Sequence, residues 1–431
     1  MVALFKTLQV ILALSILIIV HEFGHFTFAK LFRIRVEKFY LFFDVGGKAL
    51  FRFHIGETEF GIGWLPFGGY CKISGMVDES MDMDQLKRDP QPWEFRTHPA
   101  WQRLLVMAGG VLYNFIFAIL GYSAILGIWG SAYIPNSEAQ IYPNELAEEM
   151  GFRAGDRILR LDDYTPEDFS SLQADLIRKE VRCATVLRGK DTVRLYLDQA
   201  MFPEVLNTPF MFDIAMPFKV DTVWSDINRD VLRKGDSILA IEGHDTEFLQ
   251  DARPVLESMS GQTVTASVLR DGVMIELPIQ VDTAGRIGIS VGMPPVERQH
   301  YTVVSCIPAG IKKTGETISG YLDDLKMVAK PSTGAYKSVG SFISIGQIFP
   351  KVWDWYQFLS IIALLSIMLG VMNLIPIPGL DGGHILFTLY EIVSGRKPSD
   401  KFLMAMQMVG MILLFGLMFL AFGNDITRLF R

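Results

Sequence analysis

Four stretches of the chain are apolar on every helical face: about Val2 to Ala29, Leu104 to Trp129, Phe358 to Leu374 and Phe402 to Phe422. Each is close to or above the roughly 20 residues that cross a bilayer as a helix. The third runs into Ile375-Pro376-Ile377-Pro378, which must break a helix. Between the first two stretches the pattern changes. Leu50 to Ile55 alternates like a strand, Gly56-Glu57 can turn, and Thr58 to Gly63 can return. The run from Gly61 to Tyr70 is apolar yet glycine-rich. Such a hairpin dips into a membrane only where protein covers it; the competing expectation is a plain cytoplasmic hairpin. Residues 77 to 100 read as an acidic loop with Met and Pro.

The segment after the second stretch repeats itself. Met150-Gly151-Phe152-Arg153-Ala154-Gly155-Asp156-Arg157-Ile158-Leu159 matches Asp230-Val231-Leu232-Arg233-Lys234-Gly235-Asp236-Ser237-Ile238-Leu239. Ala184-Thr185-Val186-Leu187-Arg188 matches Ala266-Ser267-Val268-Leu269-Arg270. The offsets, 80 (236 − 156) and 82 (270 − 188), agree, so two copies of one small domain are expected. In each copy a Gly-Asp turn leads into an apolar strand. These resemble PDZ domains, which bind extended peptides by strand addition; rigid spacers without a ligand are the alternative. Beyond them, Ile318 to Val328 fits an amphipathic helix, and Trp353, Trp355 and Tyr356 fit a membrane surface. The expected parts are residues 1–129 with the first two spans and the β hairpin, 130–219 and 220–300 as the repeats, 301–357 as a membrane-surface linker, and 358–431 with the last two spans.

Composition agrees with spans joined to soluble parts. Half of the 431 residues are hydrophobic, 20% are charged, and the mean hydropathy is +0.29. A net charge of −7 argues against a nucleic-acid partner. The basic residues set an orientation. Eleven Lys and Arg lie between the first two spans, among them Lys30, Arg33, Arg35, Lys38, Arg96 and Arg103, and Arg396, Lys397 and Lys401 follow the third. Both connections are therefore expected in the cytoplasm and the middle segment, about 130 to 357, outside. Cys71, Cys183 and Cys306 show no metal-ligand spacing and no disulfide framework.

The chemistry concentrates in His21-Glu22-Phe23-Gly24-His25, at the end of the first apolar run. Residues four apart share a helix face, so His21 and His25 can grip one metal ion, with Glu22 beside them to take a proton from an attacking water. This H-E-x-x-H pattern is the signature of zinc metalloproteases, and ionisable groups inside a span point to function. A signal peptide with Lys6 as its basic region is the competing reading, but no small-x-small cleavage site follows Val20. A catalytic zinc takes three protein ligands. The third is expected from the proline-broken end of the third span, where Asp381 and His384 both stand. Asn114 in the second span is a candidate either for joining helices or for the active site.

H-E-x-x-H, Gly110-x-x-x-Asn114 and Asn373-x-x-Pro376-x-Pro378-x-Leu380-Asp381-Gly382 together resemble the marks of the site-2-protease family of intramembrane zinc metalloproteases. With the tandem PDZ-like repeats, the chain is similar to the bacterial branch that regulates the envelope-stress sigma factor. The resemblance implies a mixed α and β membrane protein. It would have a four-helix metalloprotease core, a membrane-reentrant β element at residues 61 to 76, and two extracytoplasmic PDZ-like domains, in a bacterial inner membrane with the active site toward the cytoplasm. It implies Zn2+ as cofactor, held by His21, His25 and Asp381, with Glu22 as general base. It makes Asn373 a substrate-holding residue, and Gly61, Gly63, Gly68, Gly69 and Asn114 join the candidate substrate-binding set. The implied substrates are single-span membrane proteins, an anti-sigma factor first and remnant signal peptides second; membrane lipid and a PDZ ligand peptide are the other partners. Val111 stands where relatives often carry Pro. A catalytically inactive zinc-binding scaffold or an ion transporter is the alternative, although no repeat among the spans suggests a transporter.

Overall fold

The structure is a computed structural model in which residues 2–76 and 89–430 are described. Residues 77–88, half of the expected acidic loop, lie outside the described residues. The chain mixes helix and sheet and divides into two compact units, residues 1–131 with 300–431, and residues 132–299.

Among the described residues of the first unit, four helices are long and apolar enough to cross a membrane. They are α1 (Val2–Leu31), α2 (Ala100–Trp129), α4 (Trp355–Leu374) and α6 (Asp400–Leu429). Between them come α3 (Cys306–Ala329) and α5 (Asp381–Ser394). Helix pairing in lipid depends on close backbone approach by small residues, because lipid tails are as apolar as leucine. Gly24 of α1 faces Gly109 of α2, where a Cβ on Gly109 would come within 2.7 Å of the Gly24 carbonyl oxygen. Buried polar groups add specific links. The Gln9 amide donates to the Pro350 carbonyl at 3.0 Å, and Ser366 of α4 donates to the Asn114 carbonyl of α2 at 2.8 Å. The helix expected at Ile318 to Val328 begins earlier. It starts at Cys306 because Gly310 and Thr314 bury against α2, with Gly310 set against Ser123.

Residues 36–73 form a sheet larger than the expected hairpin: β1 (Val36–Phe43), β2 (Ala49–Ile55), β3 (Thr58–Gly63) and β4 (Leu65–Ile73), in the order β2-β3-β1-β4. The β2–β3 hairpin is as the alternation predicts. It also pairs in parallel with β1, Tyr40 opposite Gly61, and β4 closes antiparallel on β1. Gly61 is required there because the Tyr40 ring occupies the space of a side chain. β4 is an edge strand lying against α1, with Gly69 packed on Ile18 near the middle of that helix. Ala29, Ile34, Val36, Ile73, Val106 and Met107 bury together and lock α1, the sheet and α2 into one core.

The second unit carries the sequence repeat into three dimensions. A sheet of Arg157–Leu161, Cys183–Arg188 and Asp191–Tyr196 recurs as Ser237–Ile241, Thr263–Arg270 and Val273–Gln280, with a short fourth strand at His244–Asp245. Each Gly-Asp turn is built alike. Gly155 and Gly235 take positive φ, 84° and 95°, a conformation that costs glycine little. The buried Asp156 accepts two hydrogen bonds from Arg188, at 2.8 Å each, and Asp236 accepts two from Arg270, at 2.8 and 2.7 Å. Burial pushes the Asp236 carboxyl up, but the Arg270 guanidinium and the Arg233 backbone amide outweigh it and hold it below the usual carboxylate range.

Candidate metal centre and active-site cavity

The proline-broken corner after α4 decides where Asp381 points. Helical backbone is disfavoured at a residue before proline, so α4 stops at Leu374, ahead of Pro376 and Pro378. The chain folds back tightly, with the Ile377 amide donating to the Ile375 carbonyl at 2.7 Å, and α5 begins at Asp381 itself. Gly382 and Gly383 sit directly on the corner's own backbone, where a side chain on either would collide. The Asp381 carboxylate is thereby delivered to the face of α1 that carries His21 and His25.

There, His21 Nε2 and Asp381 Oδ2 are 3.2 Å apart, His25 Nε2 and Asp381 Oδ2 3.4 Å, and the two Nε2 atoms 3.3 Å. Both histidines are buried. Asp381 Oδ2 is buried with no aligned hydrogen-bond partner despite this closeness. Two atoms each about 2.0–2.1 Å from one zinc ion at tetrahedral angles stand about 3.3–3.4 Å apart. The three donor atoms therefore face a common point at the spacing zinc requires. Among the described residues they are the group of His, Cys, Asp and Glu side chains able to hold a metal ion. His384, the other candidate for a third ligand, lines the neighbouring cavity and is outside this group. Gly110 leaves room for the rings: a Cβ there would come within 2.5 Å of His25 Nε2 and 2.9 Å of His21 Nδ1.

The ring orientations are held from α2. His25 Nδ1 lies 2.8 Å from the Val106 carbonyl oxygen, and His21 Nδ1 lies 3.0 Å from the Asn114 amide nitrogen. Glu22, half-buried and one residue round the helix, turns toward β4, where the Cys71 backbone is its hydrogen-bond partner.

A cavity of about 760 Å³ opens beside the three donors. Glu22 and Asn373 line it, and the Asn373 amide lies 3.3 Å from His21 Nε2. Of the glycines expected at the substrate, Gly69 lines the cavity; Gly61, Gly63 and Gly68 pack instead against Tyr40 and Phe43 inside the sheet. Asn114 is fully buried against His21 and does not line the cavity. Lys38, Asp44 and Tyr70 bring a polar patch from the sheet, with Asp44 accepting from both Lys38 and Tyr70 at 2.7 Å. Gln407 of α6, 6% exposed, also reaches the cavity. Sequence reasoning passed over Gln407, although a polar amide inside the run from Phe402 to Phe422 was the signal.

Known proteins match along nearly the whole length. A Vibrio cholerae protein named as a zinc metalloprotease is 28% identical, the alignment covering 99% of both chains. The "Protease RseP" of Yersinia pestis and the "Regulator of sigma E protease" of Haemophilus influenzae are each 28% identical, covering 97% of this chain and 98% of theirs. Zinc is accordingly the cofactor. The profile of peptidase family M50, the site-2 proteases, matches residues 9–417, so the chain belongs to that family and is a metalloprotease.

Proposed function

We propose that the chain is an intramembrane endopeptidase in which His21, His25 and Asp381 hold zinc and Glu22 moves the proton. The observation that carries this reading is the spacing of the three donor atoms, 3.2 to 3.4 Å, beside a cavity that Glu22 shares. When bound, zinc supplies a Lewis acid that polarises the scissile carbonyl and acidifies a water. Glu22 accepts a proton from the attacking water and hands it to the leaving amine nitrogen.

Residues 61–76 act as the membrane-reentrant β element, holding an unwound substrate segment extended along β4. Two observations support this: β4 is an edge strand, and its Cys71 backbone meets Glu22. Asn373 grips the substrate backbone, since an amide offers both donors and an acceptor to peptide groups freed from a helix. Asn373→Leu, similar in size, is expected to slow cleavage tenfold to a hundredfold, about 1–3 kcal/mol of lost transition-state contact, with zinc content and melting temperature nearly unchanged. An unchanged rate, or loss of zinc together with the rate, would make Asn373 structural.

The substrates are single-span membrane proteins, above all an anti-sigma factor already shortened by another protease; a place in sigma-factor regulation is supported by the Haemophilus relative's name, "Regulator of sigma E protease". Remnant signal peptides are a second class. The two repeats of residues 132–299 are PDZ domains that exclude bulky, intact substrates. Deleting 132–299 is then expected to leave cleavage of a short transmembrane peptide intact and to admit the untrimmed protein. A deletion protein that cuts the short peptide and still refuses the long one refutes the filter.

The protein lies in a bacterial inner membrane with the repeats outside and the basic connections inside. A cysteine at the exposed Lys190 is expected to react with an impermeant thiol reagent in intact cells, after the native cysteines are removed, while one at the exposed Arg396 stays protected. The reverse labelling would invert the topology.

A further inference from the structure

The two histidines are oriented by different kinds of partner. Opposite His25 Nδ1 stands a backbone carbonyl, that of Val106, at 2.8 Å. A carbonyl only accepts, so His25 Nδ1 carries the hydrogen and Nε2 keeps the lone pair a metal needs. Opposite His21 Nδ1 stands a side chain: the Asn114 amide nitrogen is 3.0 Å away, an arrangement that leaves Asn114 Oδ1 buried without a hydrogen-bond partner. An amide has two faces of nearly equal shape. Its NH2 end donates to Nδ1 and forces the hydrogen of His21 onto Nε2, pointing at Asp381 and His25. Its carbonyl end accepts from Nδ1–H and frees Nε2. Half a turn about one bond exchanges the two, and atom positions alone do not distinguish them.

We propose that Asn114 is a positioning residue for the metal centre: its carbonyl oxygen accepts the His21 Nδ1 hydrogen and fixes the tautomer in which His21 binds zinc. Its setting suits that role and no substrate contact. The side chain is 0% exposed, and its Cβ would lie 3.4 Å from a Cβ on Gly370 of α4. Its own backbone carbonyl is held by the buried Ser366 of the same helix. Removing a group that orients a metal-bound histidine typically lowers metal affinity about 10–100-fold.

The inference rests on His21 being a zinc ligand, which is checked separately: His21→Ala must lose zinc in the same assay. The experiment uses the full-length protein in detergent and measures zinc affinity by competition with a chromophoric chelator, alongside the melting temperature of the metal-free protein. Asn114→Leu, with no acceptor, is expected to bind zinc about 10–100-fold more weakly while the metal-free protein melts as the wild type does. Asn114→Asp keeps an acceptor oxygen in the same place and is expected to retain at least wild-type affinity. Should the leucine variant not fold, Asn114→Ala against Asn114→Asp gives the same comparison. Wild-type affinity in the leucine or alanine variant overturns the proposal. So does equal loss of zinc in all variants together with a lowered melting temperature, because Asn114 then serves helix packing alone.

Discussion

Glu22→Gln is expected to keep its zinc and lose its peptidase activity. The glutamine has the same length and leaves His21, His25 and Asp381 untouched, so the donor spacing of 3.2 to 3.4 Å is preserved. What it loses is the ability to accept a proton. Glu22 lines the cavity and sits one residue from a proposed ligand, within reach of a water at the metal. Its amide replacement can still pair with the backbone around Cys71, so substrate affinity and stability should change little. A positioned general base contributes typically 10²–10⁴-fold, about 3–5 kcal/mol of barrier. The measurement pairs zinc stoichiometry with cleavage of a transmembrane peptide followed by mass spectrometry. Cleavage near the wild-type rate with zinc in place would remove Glu22 from the mechanism.

Asp381→Ala should act on the other half of the pair, abolishing both zinc and activity. The three proposed donors come from two places, two from α1 and one from the start of α5. Removing the carboxylate leaves two imidazoles, short of the three protein ligands a catalytic zinc uses. It also removes the negative charge nearest the ion. Zinc should be stripped by a chelator that leaves the wild type loaded. If the variant instead retains zinc at wild-type affinity, His384, which lines the same cavity, is the ligand to examine. Together the two variants separate holding the metal from using it.

Much of the frame is local in sequence and so could be read there. The apolar runs give the four candidate spans, H-E-x-x-H puts two donors on one helix face, and the matched Gly-Asp turns with Arg188 and Arg270 reappear as matched ion pairs. What could not be read depends on pairing at a distance. Val36–Phe43 carries no clean alternation because it is flanked by β3 and β4 and packs against α1, and its parallel partner comes only after an intervening strand. Gly61, Gly63 and Gly68 looked like places for a ligand's backbone, yet their space is taken by Tyr40 and Phe43. Asn114 looked equally suited to packing or to the site, and its 3.0 Å approach to His21 depends on two helices distant in sequence meeting.

The origin of the donors also sets a clock. Asp381 follows His21 by 360 residues (381 − 21). At ribosomal speeds of roughly 5–20 residues per second, the first two donors wait about 18–72 s for the third. During that interval the nascent chain carries H-E-x-x-H without Asp381. A chain cut short anywhere before the proline corner is an unarmed fragment. On the proposed ligand set, synthesis past Asp381 is thus the earliest point at which the chain can hold zinc and cleave.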